Sequence, residues 1–396
     1  MNRAAIDEWN AYPDIVLLRT LAGAMIELDA VTDLASFSLP YPPEAQRALD
    51  RLILLCLLRG VELMPRSVPD LVTWCATRPV EDWPLRLPAD AFGPEDYLLD
   101  PVAQVPTQLC NEWWVHRPDA AGVQYDREIV RAAMQLCRQA AAPECYTAFR
   151  RLLVDRPVLT NHDQFEIATD LYLEPVRELL ERCYVPAPAS YLRDGAYTTC
   201  WRCLTLLVPL HDGTWWCERD ACRRKGPARP GRSLVLDEVA EVCHLVRPLR
   251  QFVTGPGRAE ADLERRLSEL EHEGRRVRVE MWPGYDAYDL KITFPDGHVW
   301  AIDVKDWKHP GLLGRAATTV RQEPPYDEAC WVVPKAQADA HGSYLATFYR
   351  NRSAQAGQLP LLTDDTLVRR AAARLAGDEA TRLADRTANR GGKRDA

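Results

Sequence analysis

Apolar residues recur at helical spacing, three or four positions apart, through the first 185 residues of the chain. Four segments show this pattern: 14–30, 43–60, 125–141 and 163–183. Between the second and third of them, residues 78–106 contain six prolines, which predict an irregular connector. We therefore expect residues 1–185 to form an all-α N-terminal domain.

A different pattern occupies residues 186–235. Cys200 and Cys203 stand three positions apart, and thirteen residues separate Cys203 from the second pair, Cys217 and Cys222. Two short apolar runs between the pairs flank a turn signal, which predicts a hairpin. Two cysteine pairs on a hairpin are typical of a zinc ribbon, and four thiolates leave no open coordination position. We predict a small four-cysteine zinc ribbon with a structural Zn²⁺; four unrelated buried cysteines are the alternative.

From residue 236 to residue 376, segments with helical spacing alternate with short apolar runs of strand type. The helical segments are 258–273, 312–321, 339–350 and 364–375, and the strand segments are 277–281, 287–294, 299–305, 329–333 and 359–362. The order is α-β-β-β-α-β followed by α-β-α, so we predict an α/β domain with a mixed (α+β) sheet at 236–376. Residues 377–396, rich in Arg, Ala, Asp and Gly, are predicted to form a flexible tail.

Two of these strands flank a strong turn signal, Pro295-Asp-Gly-His298. Because side chains alternate along a strand, the even-numbered positions form an almost wholly apolar face and the odd-numbered positions a polar one. Folding about the turn places Asp289 of the first strand opposite Asp303 and Lys305 of the second. The pattern therefore predicts that two carboxylates and an ammonium converge on one face.

This combination of side chains suits metal-dependent hydrolysis of phosphodiesters. Converging carboxylates bind hard cations such as Mg²⁺, helped by a backbone carbonyl. The cation neutralises charge on the scissile phosphate and acidifies a bound water, while an adjacent lysine orients or deprotonates that water. We predict these roles for Asp289, Asp303 and Lys305. An exposed strand face that carries acid–base pairs by chance is the alternative.

Charge is distributed unevenly along the chain, whose formal net charge is −8. Residues 1–200 carry 18 Lys and Arg against 29 Asp and Glu, whereas residues 201–396 carry 31 against 28. The second half is the better candidate for contacting nucleic acid, and the acidic residues of the N-terminal domain favour a protein partner. Arg223, Arg224 and Lys225 lie in a stretch without acidic residues, so we predict that they bind nucleic acid. A solvated loop is the alternative.

Composition favours a soluble protein. Apolar residues make up 47% of the chain and charged residues 27%, as in ordinary globular proteins. The longest apolar run, residues 52–58, is far shorter than the ~20 residues that cross a bilayer. The first residues lack the pattern of a signal peptide. We therefore expect a cytoplasmic protein with no membrane partner. Only six of the 49 basic residues are lysines, so Lys305 stands out in an arginine-rich chain.

The spacing of Asp289 and Asp303-Val304-Lys305, after a helix that carries glutamates, resembles the PD-(D/E)XK restriction-endonuclease-like superfamily. Members have an α-β-β-β-α-β core and cleave DNA or RNA with Mg²⁺. The resemblance implies that Asp289 and Asp303 bind magnesium through their side chains and Val304 through its carbonyl, while Lys305 assists the water.

Superfamily members often add a metal-binding glutamate from the first helix. Glu264 and Glu260 both match this position, and the mid-helix location favours Glu264 as the catalytic residue. Two departures from the superfamily motif occur: Tyr288 replaces the proline before the first Asp, and Asp303 replaces the longer Glu. Both are variants that the superfamily tolerates.

A closer resemblance uses more of the chain. A helical N-terminal half, a four-cysteine ribbon, and the motif Asp303-Val-Lys-Asp-Trp307 together resemble one bacterial endonuclease-fold family. Its genes accompany a prokaryotic Piwi protein of the conserved Arg/Glu class and a DinG-type helicase. The resemblance implies an endonuclease for DNA, or for structures containing RNA and DNA, in defence against plasmids and phages.

Two other functions remain open from the sequence. The first is a non-catalytic zinc-ribbon adaptor that binds nucleic acid in the same complex and retains the nuclease fold as a scaffold. The second is a helical interaction protein with a structural zinc and an unrelated α/β domain. The intact set of Asp289, Asp303 and Lys305 favours the enzyme, because a decayed domain tends to lose these residues.

Overall fold

The computed structural model describes residues 12–31, 41–88, 91–93, 95–115 and 125–377. Apart from Gly377, the predicted tail lies outside the described residues. The chain divides into two compact units. The first comprises residues 1–124, 307–318 and 337–357, and the second comprises residues 125–306, 319–336 and 358–396. The two units divide the chain differently from the segments expected from sequence, 1–185, 186–235 and 236–376. Those segment limits stay a prediction.

The described part of the first unit is built from helices. They are Pro13–Asp29, Pro43–Leu58, Val68–Thr77, Gln108–Val115, Pro310–Ala316 and Tyr344–Asn351, with 3₁₀ turns at Val80–Asp82 and Ala354–Ala356. Proline opens three of the helices, where its fixed φ suits the first turn and its missing amide costs nothing. The first two predicted helices and the irregular connector are thus confirmed.

Two predicted helices differ from the observed ones at their ends. The segment predicted as 312–321 is helical only over Pro310–Ala316. The segment predicted as 339–350 is two helices, Lys335–Ala340 and Tyr344–Asn351, with Gly342 between them. Glycine favours such an interruption because of its backbone entropy. Gly314 allows two helices to approach closely, since a Cβ there would lie 2.6 Å from the carbonyl oxygen of Phe348.

The second unit begins with helices and continues with mixed elements. Its helices are Tyr125–Gln139, Pro143–Asp155, Asn161–Thr169, Arg177–Glu181, Asp220–Arg223, Leu236–Val239, Arg247–Leu249, Gly255–Ser268, Pro283–Asp286 and Asp364–Ala376, with 3₁₀ turns at Leu171–Val176 and Ala189–Tyr191 and a π-helical turn at Arg250–Thr254. The single helix predicted at 163–183 is broken. The Asp170 carboxylate accepts a hydrogen bond from the Tyr172 amide, and Pro175 supplies no amide, so the chain leaves the helix there.

Fourteen strands are found in the described residues of the second unit. In chain order they are β1 Val158–Thr160, β2 Tyr184–Pro186, β3 Ala196–Cys200, β4 Val208–Pro209, β5 Trp215–Trp216, β6 Pro230–Val235, β7 Val242–Leu245, β8 Glu271–His272, β9 Arg275–Arg276, β10 Arg278–Met281, β11 Leu290–Thr293, β12 Val299–Val304, β13 Glu328–Val333 and β14 Leu361–Thr363. The main sheet has the order β10-β11-β12-β13-β14. β10, β11 and β12 pair antiparallel, and β12, β13 and β14 pair parallel.

The even-numbered side chains of β11 and β12 are buried, as their alternation predicts. Leu290 and Ile302 face each other across the pair and are fully buried. They belong to one apolar cluster with Leu263 and Leu267 of the helix Gly255–Ser268. The helix lies in the predicted place but ends five residues early, because β8 and β9 form a tight hairpin directly after it.

The remaining strands form small sheets of two or three strands. β4 and β5 make up the hairpin predicted between the cysteine pairs, although its strands are shorter than expected. The residues before β4 form a tight turn instead, in which Leu204 has a left-handed φ of 65°. The mixed architecture of helices, small sheets and a cysteine cluster is therefore confirmed. The expectation that residues 1–185 are all-α is wrong, because β1 lies within them and pairs with β7, a strand distant in sequence. No helix in the described part of the chain is long and apolar enough to span a bilayer.

Candidate active site and metal centre

The polar residues of the β11–β12 hairpin come together at one end of the pair. Asp289 precedes β11, and its Oδ2 accepts a hydrogen bond of 2.5 Å from the backbone amide of Val304. Lys305 Nζ lies 2.9 Å from Asp303 Oδ2 and 5.2 Å from the centroid of the Trp331 ring. The structure thus brings Asp289, Asp303 and Lys305 together.

Asp289 is buried, although the alternation alone places it on a polar strand face. Burial raises the pKa of this carboxyl well above its ordinary value, and the nearby Glu260 and Asp303 raise it further. Burial by itself lowers the pKa of Lys305, but the Asp303 and Asp289 carboxylates outweigh it and the pKa is raised. The two acids and the lysine form one electrostatically coupled group.

The helix Gly255–Ser268 contributes Glu260 to this group, not the preferred Glu264. Glu260 is buried, and its Oε2 accepts a hydrogen bond of 2.6 Å from Trp282 Nε1. Burial raises the pKa of Glu260, partly offset by the charge of Arg150. Glu264 instead forms an ion pair with Arg151. The two glutamates are four residues apart, about 6 Å of rise, and project from the same side of the helix. Glu260 is buried and its charge raises the pKa of Asp289, whereas Glu264 is paired with Arg151.

The four predicted cysteines form a compact cluster. The Sγ atoms of Cys200, Cys203, Cys217 and Cys222 all lie within 4.8 Å of one another, and all four residues are buried. Among the described residues, no other group of three or more potential ligands meets this spacing. The left-handed turn after Cys203 closes the first pair, since the amide of Leu204 donates to the carbonyl of Cys200 at 2.9 Å. The donor set suits a tetrahedral Zn²⁺.

Comparison with known families assigns both ends of the chain. Residues 257–379 match the family model described as "REase associating with pPIWI_RE", and residues 17–160 match "pPIWI_RE three-gene island domain Y". The two matches identify the chain as a restriction-endonuclease-like protein of the pPIWI_RE-associated system. No curated protein and no solved structure matches it. Asp289, Asp303, Lys305 and Glu260 lie inside the segment that matches the REase model, residues 257–379. The four cysteines lie between the two matched segments.

Sequence reasoning missed several residues that complete the acidic group. Arg150 lies 3.8 Å from Glu260 through Nη2 and 5.1 Å from the Trp282 ring. The Tyr146 hydroxyl donates a hydrogen bond of 2.8 Å to Asp286. No local signal joins Tyr146 and Arg150 to residues more than a hundred positions away. A Pro-Gly pair does mark the turn between β10 and β11 that carries Asp286.

That turn has an unusual backbone. Trp282, Tyr285 and Asp286 have φ values of 48°, 59° and 68°, in the left-handed region that costs free energy for residues other than glycine. This conformation directs the Trp282 indole to Glu260 and the Asp286 carboxylate to Tyr146. Such backbone strain persists where the surrounding contacts fix it, and it clusters at functional sites.

The cysteine cluster is anchored to both segments that carry the acidic group. Arg219, between the second cysteine pair, donates hydrogen bonds of 2.6 Å to Asp306 Oδ2 and to the carbonyl oxygen of Gly255. Gly255 begins the helix that carries Glu260, and Asp306 follows Lys305. One guanidinium therefore links the ribbon to both parts of the acidic site.

The predicted basic residues have different environments. Arg223 donates to the Asp220 carboxylate and to the Cys217 carbonyl, and it lies over the Trp216 ring at 5.0 Å. Its guanidinium is therefore engaged within the ribbon. Arg224 and Lys225 are exposed at the surface.

Proposed function

We propose that this chain is a Mg²⁺-dependent endonuclease that hydrolyses DNA phosphodiester bonds within a bacterial Piwi–helicase defence system. The observation that carries the proposal is the meeting of Asp289, Asp303 and Lys305 with Glu260 at the end of the β11–β12 pair. This group lies in the segment that matches the REase model. Location in the cytoplasm and cooperation with a DinG-type helicase belong to the same proposal.

The carboxylates fit a divalent cation. Three of them, from Glu260, Asp289 and Asp303, are coupled closely enough that two raise the pKa of the third. Each carboxylate also has a protein donor: the Val304 amide binds Asp289, the Lys305 ammonium binds Asp303, and the Trp282 indole binds Glu260. We propose that these side chains and the Val304 carbonyl hold Mg²⁺, which supplies charge neutralisation at the phosphate and an acidified water.

Lys305 has its own role in the proposed reaction. Its ammonium is held by Asp303 and by the face of Trp331, so its position is fixed before substrate arrives. From there it offsets the negative charge of the scissile phosphate and orients the attacking water. The Asp289 hydrogen bond to Val304 keeps the two strand ends in register while this occurs.

The cysteine cluster is proposed to bind one Zn²⁺ with a structural role. Four buried thiols at this spacing supply a complete tetrahedral set, so no position remains for water or substrate. The bound metal would fix the loop that carries Arg219, and through it the two segments of the acidic site.

A non-catalytic adaptor is the second candidate, and one observation favours it. Arg150 is buried beside Glu260 and supplies, from within the protein, part of the positive charge that a metal supplies in a nuclease. In a scaffold that no longer binds Mg²⁺, this guanidinium would compensate the buried charge of Glu260. The adaptor would still bind nucleic acid through the ribbon.

Cleavage of defined substrates separates the two candidates. Purified full-length protein is incubated with single-stranded DNA, duplex DNA and an R-loop, each with and without Mg²⁺. The nuclease predicts cleavage of at least one substrate only when Mg²⁺ is present. The adaptor predicts binding without cleavage under every condition.

A further inference from the structure

The first cysteine pair exposes a tryptophan. Trp201 lies between Cys200 and Cys203, and 67% of its surface is accessible. It is the one exposed tryptophan among those that the structure describes. The ribbon's other tryptophans are covered: Arg193 lies over the Trp215 ring at 4.1 Å, and Trp216 is buried. An exposed indole forgoes the stabilisation that burial of its large apolar surface gives, about 25 cal/mol per Å².

A basic loop is fixed beside this indole. Arg202 donates hydrogen bonds to the carbonyl oxygens of Cys222, Lys225 and Pro227 at 3.1–3.2 Å. The Trp201 amide donates to the Arg229 carbonyl at 2.9 Å. These bonds join the loop to the turn that carries Trp201 at both of its ends. The loop conformation is therefore set by the ribbon itself.

The same loop presents cations without neighbouring acids in the sequence. Arg224, Lys225 and Arg229 are all exposed, and residues 221–236 contain no Asp or Glu. Exposed cations together with an exposed aromatic face are typical of sites for single-stranded nucleic acid.

We propose that Trp201 and the cations Arg224, Lys225 and Arg229 form a binding site for single-stranded nucleic acid. One unpaired base stacks on the indole, and the cations contact the flanking phosphates. A duplex presents no free base face, so the site discriminates against it. The site deepens the proposed nuclease function, because it names an unpaired strand as the ligand, but strand binding itself requires no cleavage.

Fluorescence anisotropy of a labelled oligothymidine measures this binding. The full-length protein is used without Mg²⁺, so that cleavage does not contribute, and its zinc content is measured for every variant. Trp201→Ala is expected to weaken single-strand binding roughly five- to a hundredfold, the range for removing one base-stacking side chain. Trp201→Phe should retain most of the affinity because it keeps a stacking face. Binding of a blunt duplex should be unchanged in both variants.

The chain offers a matched control for exposure. Tyr172 is 69% exposed, but it lies between Asp170 and Glu174 in an acidic turn of the second unit. Tyr172→Ala should therefore bind the oligonucleotide as the wild type does. An equal loss in both alanine variants would overturn the proposal, since it would show a nonspecific effect of removing surface aromatics.

Two further outcomes are decisive. Wild-type single-strand affinity in Trp201→Ala would overturn the site. If Trp201→Ala loses zinc, Trp201→Leu replaces it, because leucine keeps an apolar side chain without a stacking face. Single-strand affinity of Trp201→Leu equal to that of Trp201→Phe would contradict stacking. Failure of the nuclease proposal has a separate signature: strand binding that depends on Trp201 in a protein that never cleaves.

Discussion

Two lysines of the β11–β12 hairpin have nearly equal exposure but different surroundings. The Lys305 side chain is 24% exposed and contacts Asp303 at 2.9 Å and Trp331 at 5.2 Å. The Lys291 side chain is 25% exposed and lies 3.9 Å from Glu280. Comparing the same substitution at the two lysines therefore separates the effect of side-chain exposure from the effect of the neighbouring acidic group.

Replacing Lys305 with Arg is expected to lower the cleavage rate at least a hundredfold, in the range of roughly 10²–10³ for removing one positioned donor that stabilises developing charge. The guanidinium is wider than the ammonium and holds its donors in a fixed fork, so it cannot take the same position between Asp303 and the Trp331 ring. Single-turnover cleavage with saturating Mg²⁺ measures the effect. Lys291→Arg is the control and should change the rate little; equal rates in the two variants would remove Lys305 from the mechanism.

The two helix glutamates allow a second comparison of neighbours. Glu260→Gln should raise the Mg²⁺ concentration needed for half-maximal cleavage more than tenfold, because the amide keeps the shape but loses the charge that attracts a hard cation. Glu264→Gln removes only an ion pair with Arg151 and should leave the Mg²⁺ dependence unchanged. The reverse result would restore Glu264 as the helix ligand.

At the scale of elements, local patterns predicted much of the second unit. The alternation of apolar residues gave the buried faces of β11 and β12, and the turn signal at residues 295–298 gave their register. Cysteine spacing gave the cluster of four thiols. Each of these features depends on contacts between residues close in sequence, where periodicity carries the information.

Features that depend on distant contacts escaped the sequence. The surroundings of Asp289 include Glu260, whose charge raises the Asp289 pKa, and Glu260 in turn pairs with Arg150 of a separate helix. The choice of Glu260 over Glu264 depends on where one helix packs, which differs by a single turn. The break in the helix predicted at 163–183 was readable in principle, because Asp170 and Pro175 are both typical helix-ending residues.

The link between the ribbon and the acidic site makes a prediction about stability. Arg219→Ala removes two hydrogen bonds, one of them to a carboxylate, and should lower the free energy of unfolding by about 1.5–3 kcal/mol. Denaturant unfolding measures this change, and zinc analysis should still find the metal. Unchanged stability would show that this contact does not hold the ribbon to the acidic site.

The cysteine cluster is tested by metal content. Elemental analysis should find about one Zn per chain, and Cys222→Ala should lower that content sharply because three thiolates bind zinc more weakly. Cys243→Ala is the matched control, since Cys243 is also buried but lies outside the cluster. A metal-free wild-type chain that is fully folded would contradict the zinc ribbon.

At the scale of the whole molecule, the candidate sites and the excess of acidic residues lie in different parts of the chain. The acidic group and the cysteine cluster both belong to the second unit, which draws on three separate stretches of sequence. The excess of acidic residues lies in residues 1–200. This distribution supports a protein partner for the N-terminal part and a nucleic-acid ligand for the ribbon and the REase-like segment.

The most direct test of the nuclease is the Mg²⁺-dependent cleavage activity of the Asp303→Ala variant. Removing this carboxylate takes away one proposed magnesium ligand and the partner of Lys305. The account predicts that cleavage falls below detection while zinc content and cooperative unfolding remain. Wild-type cleavage by a folded Asp303→Ala protein would contradict the account and remove the acidic group from catalysis.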